Sequence, residues 1–237
     1  MAGFRCFAPN LDSESDRVTL TPFESHHLVS TNRARQGDAV VLFNGAGVEW
    51  DTVLETTDRK NASLVKQKVK TYEKPVRQIT LAIALIKGKT FDTILRQATE
   101  LGVSRFQPIL TDYTQVQLKE TTSKLNKWNT QIIEACKQSG NPWLPEIREP
   151  ASLREYLSDT RFESALVASL EEFTKPWKEI SPTNTCTLFI GPEGDFSTTE
   201  YQMLRDHDVQ PVSLGPYVLR SETAVVAALA LVSRVMG

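Results

Sequence analysis

The sequence predicts a two-part α/β chain: a small β-rich unit over residues 1–74, then an α/β domain with a mainly parallel sheet over residues 75–237. Three observations carry this. As far as Tyr72, apolar residues fall in short β-branched runs set apart by turn residues. From Ile79 onward, apolar strand-like runs alternate with stretches of helical spacing. Pro75 stands where one pattern gives way to the other.

In the first part, Arg17–Leu20, Asp38–Phe43, Glu49–Thr56 and Ala62–Tyr72 read as strands. Gly37-Asp38, the Asn44–Gly47 stretch and Asp58–Asn61 punctuate them as turns. One short helix is expected around Ser25–Ser30, and a small barrel or sandwich is the expected architecture.

In the second part, Ile79–Ile86 has the unbroken apolar character of a buried strand. Phe91, Ile94, Leu95, Ala98 and Leu101 form a helical stripe ending at Gly102, a glycine suited to close a helix. Phe106–Leu110 is a strand, and Leu125, Trp128, Ile132 and Cys136 are the next helical stripe, closed by Gly140. Ser152 with Glu155 and Ser197 with Glu200 are capping boxes that open two further helices. Ala165–Ser169 and Thr185–Ile190 are strands, another strand runs to Leu214, and a last helix covers Glu222–Val235.

Composition narrows the function classes. The 237 residues are 40% hydrophobic and 24% charged, which excludes a disordered or collagen-like chain. With 27 Lys/Arg against 29 Asp/Glu the net charge is −2, so any attraction to nucleic acid rests on a local face. Cys6, Cys136 and Cys186 are isolated, which argues against a disulfide scaffold or a zinc site, and no metal is expected. The start lacks a signal-peptide core, and the longest apolar run, Ala224–Val232, is too short to span a bilayer. A cytoplasmic protein is expected.

Ligands of open parallel sheets bind beyond the carboxyl ends of strands, where loops turn into helices. Two loops have that position. Ile190-Gly-Pro-Glu-Gly194 joins a strand to a capped helix, and its glycines let backbone groups approach a ligand. Leu214-Gly-Pro-Tyr-Val-Leu-Arg-Ser-Glu-Thr223 carries Arg220 and Glu222 into a helix start. Each has a plainer explanation: a turn with a solvated glutamate, and a surface ion pair. Phosphate-cradle, nucleophile-elbow and zinc-helix motifs are absent, and Gly45-Ala-Gly47 has Trp50 where a dinucleotide fingerprint needs its third glycine.

Taken together and in this order, the two loops resemble the paired signature of the ribosomal RNA small-subunit methyltransferase E family, within the SPOUT superfamily. Ala98–Val103, Glu134–Gly140, Lys87-Gly-Lys89 and His26-His-Leu28 agree with it. The resemblance implies a PUA-like β-barrel, then a SPOUT domain whose C-terminal chain forms a deep trefoil knot. It implies S-adenosylmethionine as cofactor, held near Ser169 and Leu170, by Ile190, Gly191, Pro192, Glu193 and Gly194, by Leu214 and Gly215, and by Leu219, Arg220, Thr223 and Ala224. It implies a homodimer through the Ala224–Val235 helix. The implied reaction is methylation of a uridine N3 in 16S ribosomal RNA, with the RNA or the small subunit as partner.

Residue chemistry can be attached to that reaction. Uracil N3 must lose its proton, so Arg220 is the candidate to hold a uracil oxygen as negative charge develops. Glu222 is either the base or the group that orients Arg220; a carboxylate beside arginine is a weak base, which favours orienting. The first part holds ten Lys/Arg and ten Asp/Glu, so RNA contact falls to a local set. Lys66, Lys68 and Lys70 alternate and should share one strand face, with Arg33, Arg35, Lys87 and Lys89 added. Taken by itself, the lysine stripe is better explained as an ordinary solvated strand face.

The chain departs from the family pattern at five positions. Asp195 replaces a glycine, and Tyr217, Tyr113, Asn141 and Gln97 replace basic residues. These losses of positive charge motivate a second hypothesis, an RNA-binding or ribosome-assembly factor with altered target or lost catalysis. Retention of Arg220, Glu222 and Thr223 favours the enzyme.

Overall fold

The computed structural model describes residues 3–11, 15–116, 124–171 and 173–236. The chain forms two compact units. The first takes the chain as far as Lys74 together with Cys136–Leu144; the second takes Pro75–Ala135 and the chain from Pro145.

The first unit holds β1 (Phe4–Phe7), β2 (Arg17–Thr19), α1 (Pro22–His26), β3 (Ala39–Phe43), β4 (Val48–Leu54) and β5 (Ser63–Thr71). These make one sheet in the order β1-β3-β4-β5-β2, with β1 parallel to β3 and the other pairs antiparallel. The sheet curls around Leu28, Leu42, Trp50, Leu54 and Leu64, all buried. β1 is the strand that sequence pattern missed: four residues with no alternation, of which only Cys6 is fully buried. The helix starts earlier than expected because Thr21 caps it, accepting from the Glu24 N–H, with Pro22 in the first turn. It continues as a π-helical turn over His27–Thr31.

The lysines of β5 do not share a face. Lys66 pairs with Thr52 and Lys68 with Asp51, so a bulge at Gln67 inserts one residue and reverses the side-chain alternation. Lys66 turns to the core side, 4.8 Å from the Trp50 ring, and pairs with Asp16 at 3.0 Å. Lys70 turns to the opposite side and pairs with Asp51 at 2.8 Å.

Within this unit, Lys137 Nζ lies 2.6 Å from Glu24 Oε1, with both side chains buried. The other Glu24 oxygen accepts from the Phe7 N–H at 3.4 Å. Gly47, at φ +84°, lets the chain pass beneath Trp143, since a Cβ there would fall 2.3 Å from the indole.

The second unit holds β6 (Gln78–Ala84), α2 (Lys89–Glu100), β7 (Arg105–Leu110) and α3 (Leu125–Ser139), whose last turn belongs to the first unit. Then come β8 (Glu146–Ile147), β9 (Ala151–Ser152), α4 (Leu153–Asp159), β10 (Ala165–Ala168) and β11 (Thr185–Ile190). The chain finishes with α5 (Thr198–Asp206), β12 (Gln210–Val212) and α6 (Ser221–Val235). The strand order is β12-β10-β11-β6-β7-β8, with β9 also on β7, and every pair is parallel. Both expected capping boxes are formed, at Ser152/Glu155 and Ser197/Glu200. After β6 the chain builds outward through β7 and β8, then returns on the other side as β10, β11 and β12. The order therefore reverses between β6 and β11, and the crevice beyond their carboxyl ends is where a ligand belongs.

The apolar stripe of α6, including Ala224, Val225, Ala228 and Val232, is buried, and the helix packs on α2. Among the described residues no helix is long and apolar enough to cross a membrane.

Removing Lys137 would strand the Glu24 carboxylate in the interior. Lys137→Met is expected to cost about 3–5 kcal/mol in urea unfolding. Combining it with Glu24→Gln, which keeps an acceptor for the Phe7 N–H, should recover most of that loss.

Candidate active site

Beyond the ends of β10 and β11, and below the loop after β12, lies an open cleft, the place where ligands of parallel sheets bind. Ser169 and Leu170 bring in the end of β10. Ile190, Gly191, Pro192 and Glu193 bring in the end of β11, and Leu214, Gly215 and Leu219 the loop after β12. Ala224 closes it from the first turns of α6. Ten of the thirteen positions expected to hold a cofactor therefore meet in one place.

Five further residues line the cleft: Ala168, Asp195, Tyr217, Val218 and Ser221. Ser221 is buried, and its hydroxyl donates to the Gly191 carbonyl at 3.5 Å, tying the two loops together. Its position next to Arg220 was the only hint of this in the sequence. Tyr217 is 80% exposed at the mouth.

Asp195 has an ordinary signal in retrospect. Its φ is +63°, the left-handed region that glycine fills most easily and aspartate tolerates. The Tyr201 hydroxyl donates to both carboxylate oxygens, at 2.9 and 2.8 Å. Burial pushes the Tyr201 phenol well above its ordinary range, and the Asp195 charge adds to the rise, so the phenol stays a donor. Ser169 and the Leu170 N–H work against that rise by hydrogen bonding to the same oxygen.

The remaining expected residues lie elsewhere. Arg220 is exposed at the N-terminal boundary of α6, between the lining residues Leu219 and Ser221. Glu222 is half-buried in the first turn, Thr223 is exposed, and Arg220 and Glu222 form no ion pair with each other.

Gly194 lines a second cleft, which shares Glu193 with the first and adds Lys87, Asp112, Tyr113, Thr114 and Gln115. Tyr113 packs on Gly194, with ring atoms 3.4–3.5 Å from where a Cβ would sit. Lys87 reaches the Gln115 amide oxygen at 3.3 Å. Lys89 opens α2, and Arg33 and Arg35 are exposed in the first unit.

The two clefts are held in register by Glu200. One of its oxygens accepts from the Ser197 N–H, completing the cap of α5, and the other accepts from the Asp112 N–H, both at 2.8 Å. The loop after β7 is thereby fixed to the loop after β11. Among the described residues no cluster of His, Cys, Asp and Glu could hold a metal ion.

Comparison with known proteins agrees with this geometry. Residues 72–233 match the RNA methyltransferase domain family, and residues 20–67 match the RNA methyltransferase PUA domain. Ribosomal RNA small subunit methyltransferase E of Synechocystis is 32% identical over 225 residues, covering 92% of this chain and 73% of that protein. The chain belongs to the ribosomal RNA small subunit methyltransferase E family. Two solved structures resemble it throughout. A Legionella pneumophila protein described as a methyltransferase, solved with bound S-adenosylmethionine, is 30% identical with a TM-score of 0.93, over 99% of this chain and 98% of that one. The methyltransferase E of Neisseria gonorrhoeae, bound to S-adenosylmethionine, is 25% identical with a TM-score of 0.89, over 98% and 97%. The fold is thus the family's PUA-like unit followed by its α/β methyltransferase domain.

Glu200→Ala would leave two partly buried backbone donors without their acceptor, at a cost of about 1–3 kcal/mol. Hydrogen exchange should quicken at the Asp112 and Ser197 amides, with β6 and β11 unchanged. Quickening spread evenly over the sheet would mean that Glu200 serves stability at large and not the two loops.

Proposed function

We propose that this chain, an S-adenosylmethionine-dependent ribosomal RNA methyltransferase, transfers its methyl group to N3 of a uridine in 16S ribosomal RNA. The observation that carries the reading is the convergence of the two Gly-Pro loops on one cleft at the carboxyl ends of β10 and β11. The cleft fits the cofactor in its chemistry: its walls mix aliphatic side chains with backbone, and a Cβ on Gly191 would press on Asp195 and Phe196 at 3.2–3.3 Å. Ser169, Leu170, Gly191, Leu214, Gly215, Leu219 and Ala224 would hold it. When bound, S-adenosylmethionine supplies an electrophilic methyl group on a sulfonium.

The chain's own part is to position the base and manage its charge. Arg220, exposed at the start of α6 with no ion-pair partner among the described residues, is assigned to a uracil oxygen. As the N3 proton leaves, negative charge spreads onto that oxygen, and a fixed guanidinium stabilises it. Glu222, in the first turn of α6, is assigned to orient Arg220; since the two form no ion pair in the protein alone, that pairing would form with RNA in place. Thr223 and Gly194 are kept as flanking contacts.

Phosphate contact is assigned to Lys87, Lys89, Arg33, Arg35 and Lys68. Lys66 and Lys70 are held by Asp16 and Asp51 and would have to exchange those partners to join them. Lys87 lines the cleft next to Glu193, so it is the contact assigned closest to the reacting base. The same reading takes the C-terminal chain as knotted, the protein as cytoplasmic, and a homodimer as formed through α6, which leaves Ala230 exposed.

The test is transfer of labelled methyl to undermethylated small subunits, with the product mapped by reverse transcription. N3 methylation blocks the Watson–Crick face, so one new stop is expected, lost at least 100-fold in Arg220→Ala. Cofactor binding without transfer to subunits or naked RNA would favour the binding-factor reading. Lys87→Ala should weaken RNA binding uniformly and flatten the log–log salt dependence by about one unit. An unchanged slope would remove Lys87 from the phosphate contacts.

A further inference from the structure

The charges lining the cofactor cleft are of one sign. Among its lining residues only Glu193 and Asp195 are charged, and both are acidic. Glu193 is exposed, where solvent screens it, whereas Asp195 is half-buried. Asp195 makes no ion pair among the described residues; its carboxylate is fixed by the buried Tyr201 hydroxyl and packs against Gly191 in the cleft wall. A fixed, partly desolvated anion with no cation beside it is a ready partner for a cationic ligand.

We propose that Asp195 is a specificity-determining residue that makes this cleft favour the charged methyl donor over its neutral product. The proposal rests on the reading that the cleft holds S-adenosylmethionine. On transfer, the bond from sulfur to the methyl carbon breaks and its electron pair stays on sulfur. The sulfonium becomes an uncharged thioether, and the new N–CH3 bond forms with loss of the N3 proton to solvent. S-adenosylhomocysteine therefore differs from the donor by a methyl group and one positive charge, while the ammonium and carboxylate of the two are alike. A carboxylate near the sulfur side of the cleft attracts the first ligand and not the second, which aids entry of donor and release of product.

The way the two clefts share their lining argues for Asp195 on that side. Glu193 is shared by the two clefts, Gly194 lines the second and Asp195 the first, so this tripeptide lies between them, where a methyl group would pass if donor and base occupied one cleft each. A sulfonium held in the first cleft would need to lie near this partition for its methyl group to reach a base in the second.

The experiment is calorimetric titration of the full chain with S-adenosylmethionine and with S-adenosylhomocysteine. Wild type, Asp195→Asn and Asp195→Gly are compared, with thermal unfolding as the check on folding. Asparagine and glycine both tolerate the left-handed backbone, so neither variant should fail to fold for conformational reasons. The expected result is a roughly 10-fold fall in the ratio Kd(product)/Kd(donor) in both variants, almost all of it from weaker donor binding. Equal weakening of both ligands would overturn the proposal, since it would place Asp195 on the shared ammonium or in a purely structural role. An unchanged ratio in folded variants overturns it as well. If wild type binds neither ligand, the cofactor reading itself fails; if wild type binds both and only the ratio is insensitive, the failure is confined to Asp195.

Discussion

One buried carboxylate, Glu200, sets the relation between the loops on which the site is built. Glu200 is only 2% exposed, and each carboxylate oxygen accepts from the backbone of a different loop. One of these bonds is the return half of a capping box, which any helix could use. The other reaches 88 residues back in sequence to the Asp112 N–H. Ser197, the other partner in the box, donates its hydroxyl to the Asp112 carboxylate and makes a second link between the same loops. A local device for starting a helix thus also fixes where the loop after β7 sits against the loop after β11. Both clefts depend on it, since Glu193 and Gly194 lie between β11 and the capped helix.

The loops that form the cleft on this frame are linked by polar contacts. Ser221 to the Gly191 carbonyl joins the two Gly-Pro loops, and Tyr201 joins the end of β10 to Asp195. The wall mixes backbone with aliphatic side chains, and only Glu193 and Asp195 among the lining residues carry charge. The side chains that do carry charge are therefore disproportionately important. In water a single carboxylate at several ångströms has little effect on a cation, but at the half-buried Asp195 the same charge acts across a medium of lower effective dielectric.

Much of this was legible in the sequence. The alternation of strand runs and helical stripes after Ile79 marks a parallel sheet, and both capping boxes occur at the expected residues. Ten of the expected cofactor positions meet in one cleft because loops at the carboxyl ends of adjacent parallel strands have nowhere else to converge. What was not legible has a physical reason in each case. β1 is too short to show alternation, and β8 and β9 have two residues each, so their pairing is set by neighbours. The place of Cys136–Leu144 in the first unit depends on tertiary partners, Lys137 on Glu24 and Trp143 over Gly47, that no local pattern encodes.

The lysines of β5 show how sensitive such readings are to a single residue. Period-two alternation is strict only while the register holds, and one inserted residue exchanges the two faces of everything beyond it. Gln67 is that residue, and it separates Lys66 from Lys68 and Lys70. Lys66 is drawn over the Trp50 ring, where its aliphatic stem covers the core and its ammonium meets Asp16. What resembled a basic stripe for phosphate is thus divided between core-covering and surface roles. On the proposed function, an RNA surface of the first unit would draw on separate elements, Lys68 on β5 and the exposed Arg33 and Arg35. Residues so dispersed would give an electrostatic footing without reading sequence. On the proposed function, selection of the target base would fall to the shape of the second cleft, where Tyr113 packs against the glycine loop that also lines the first.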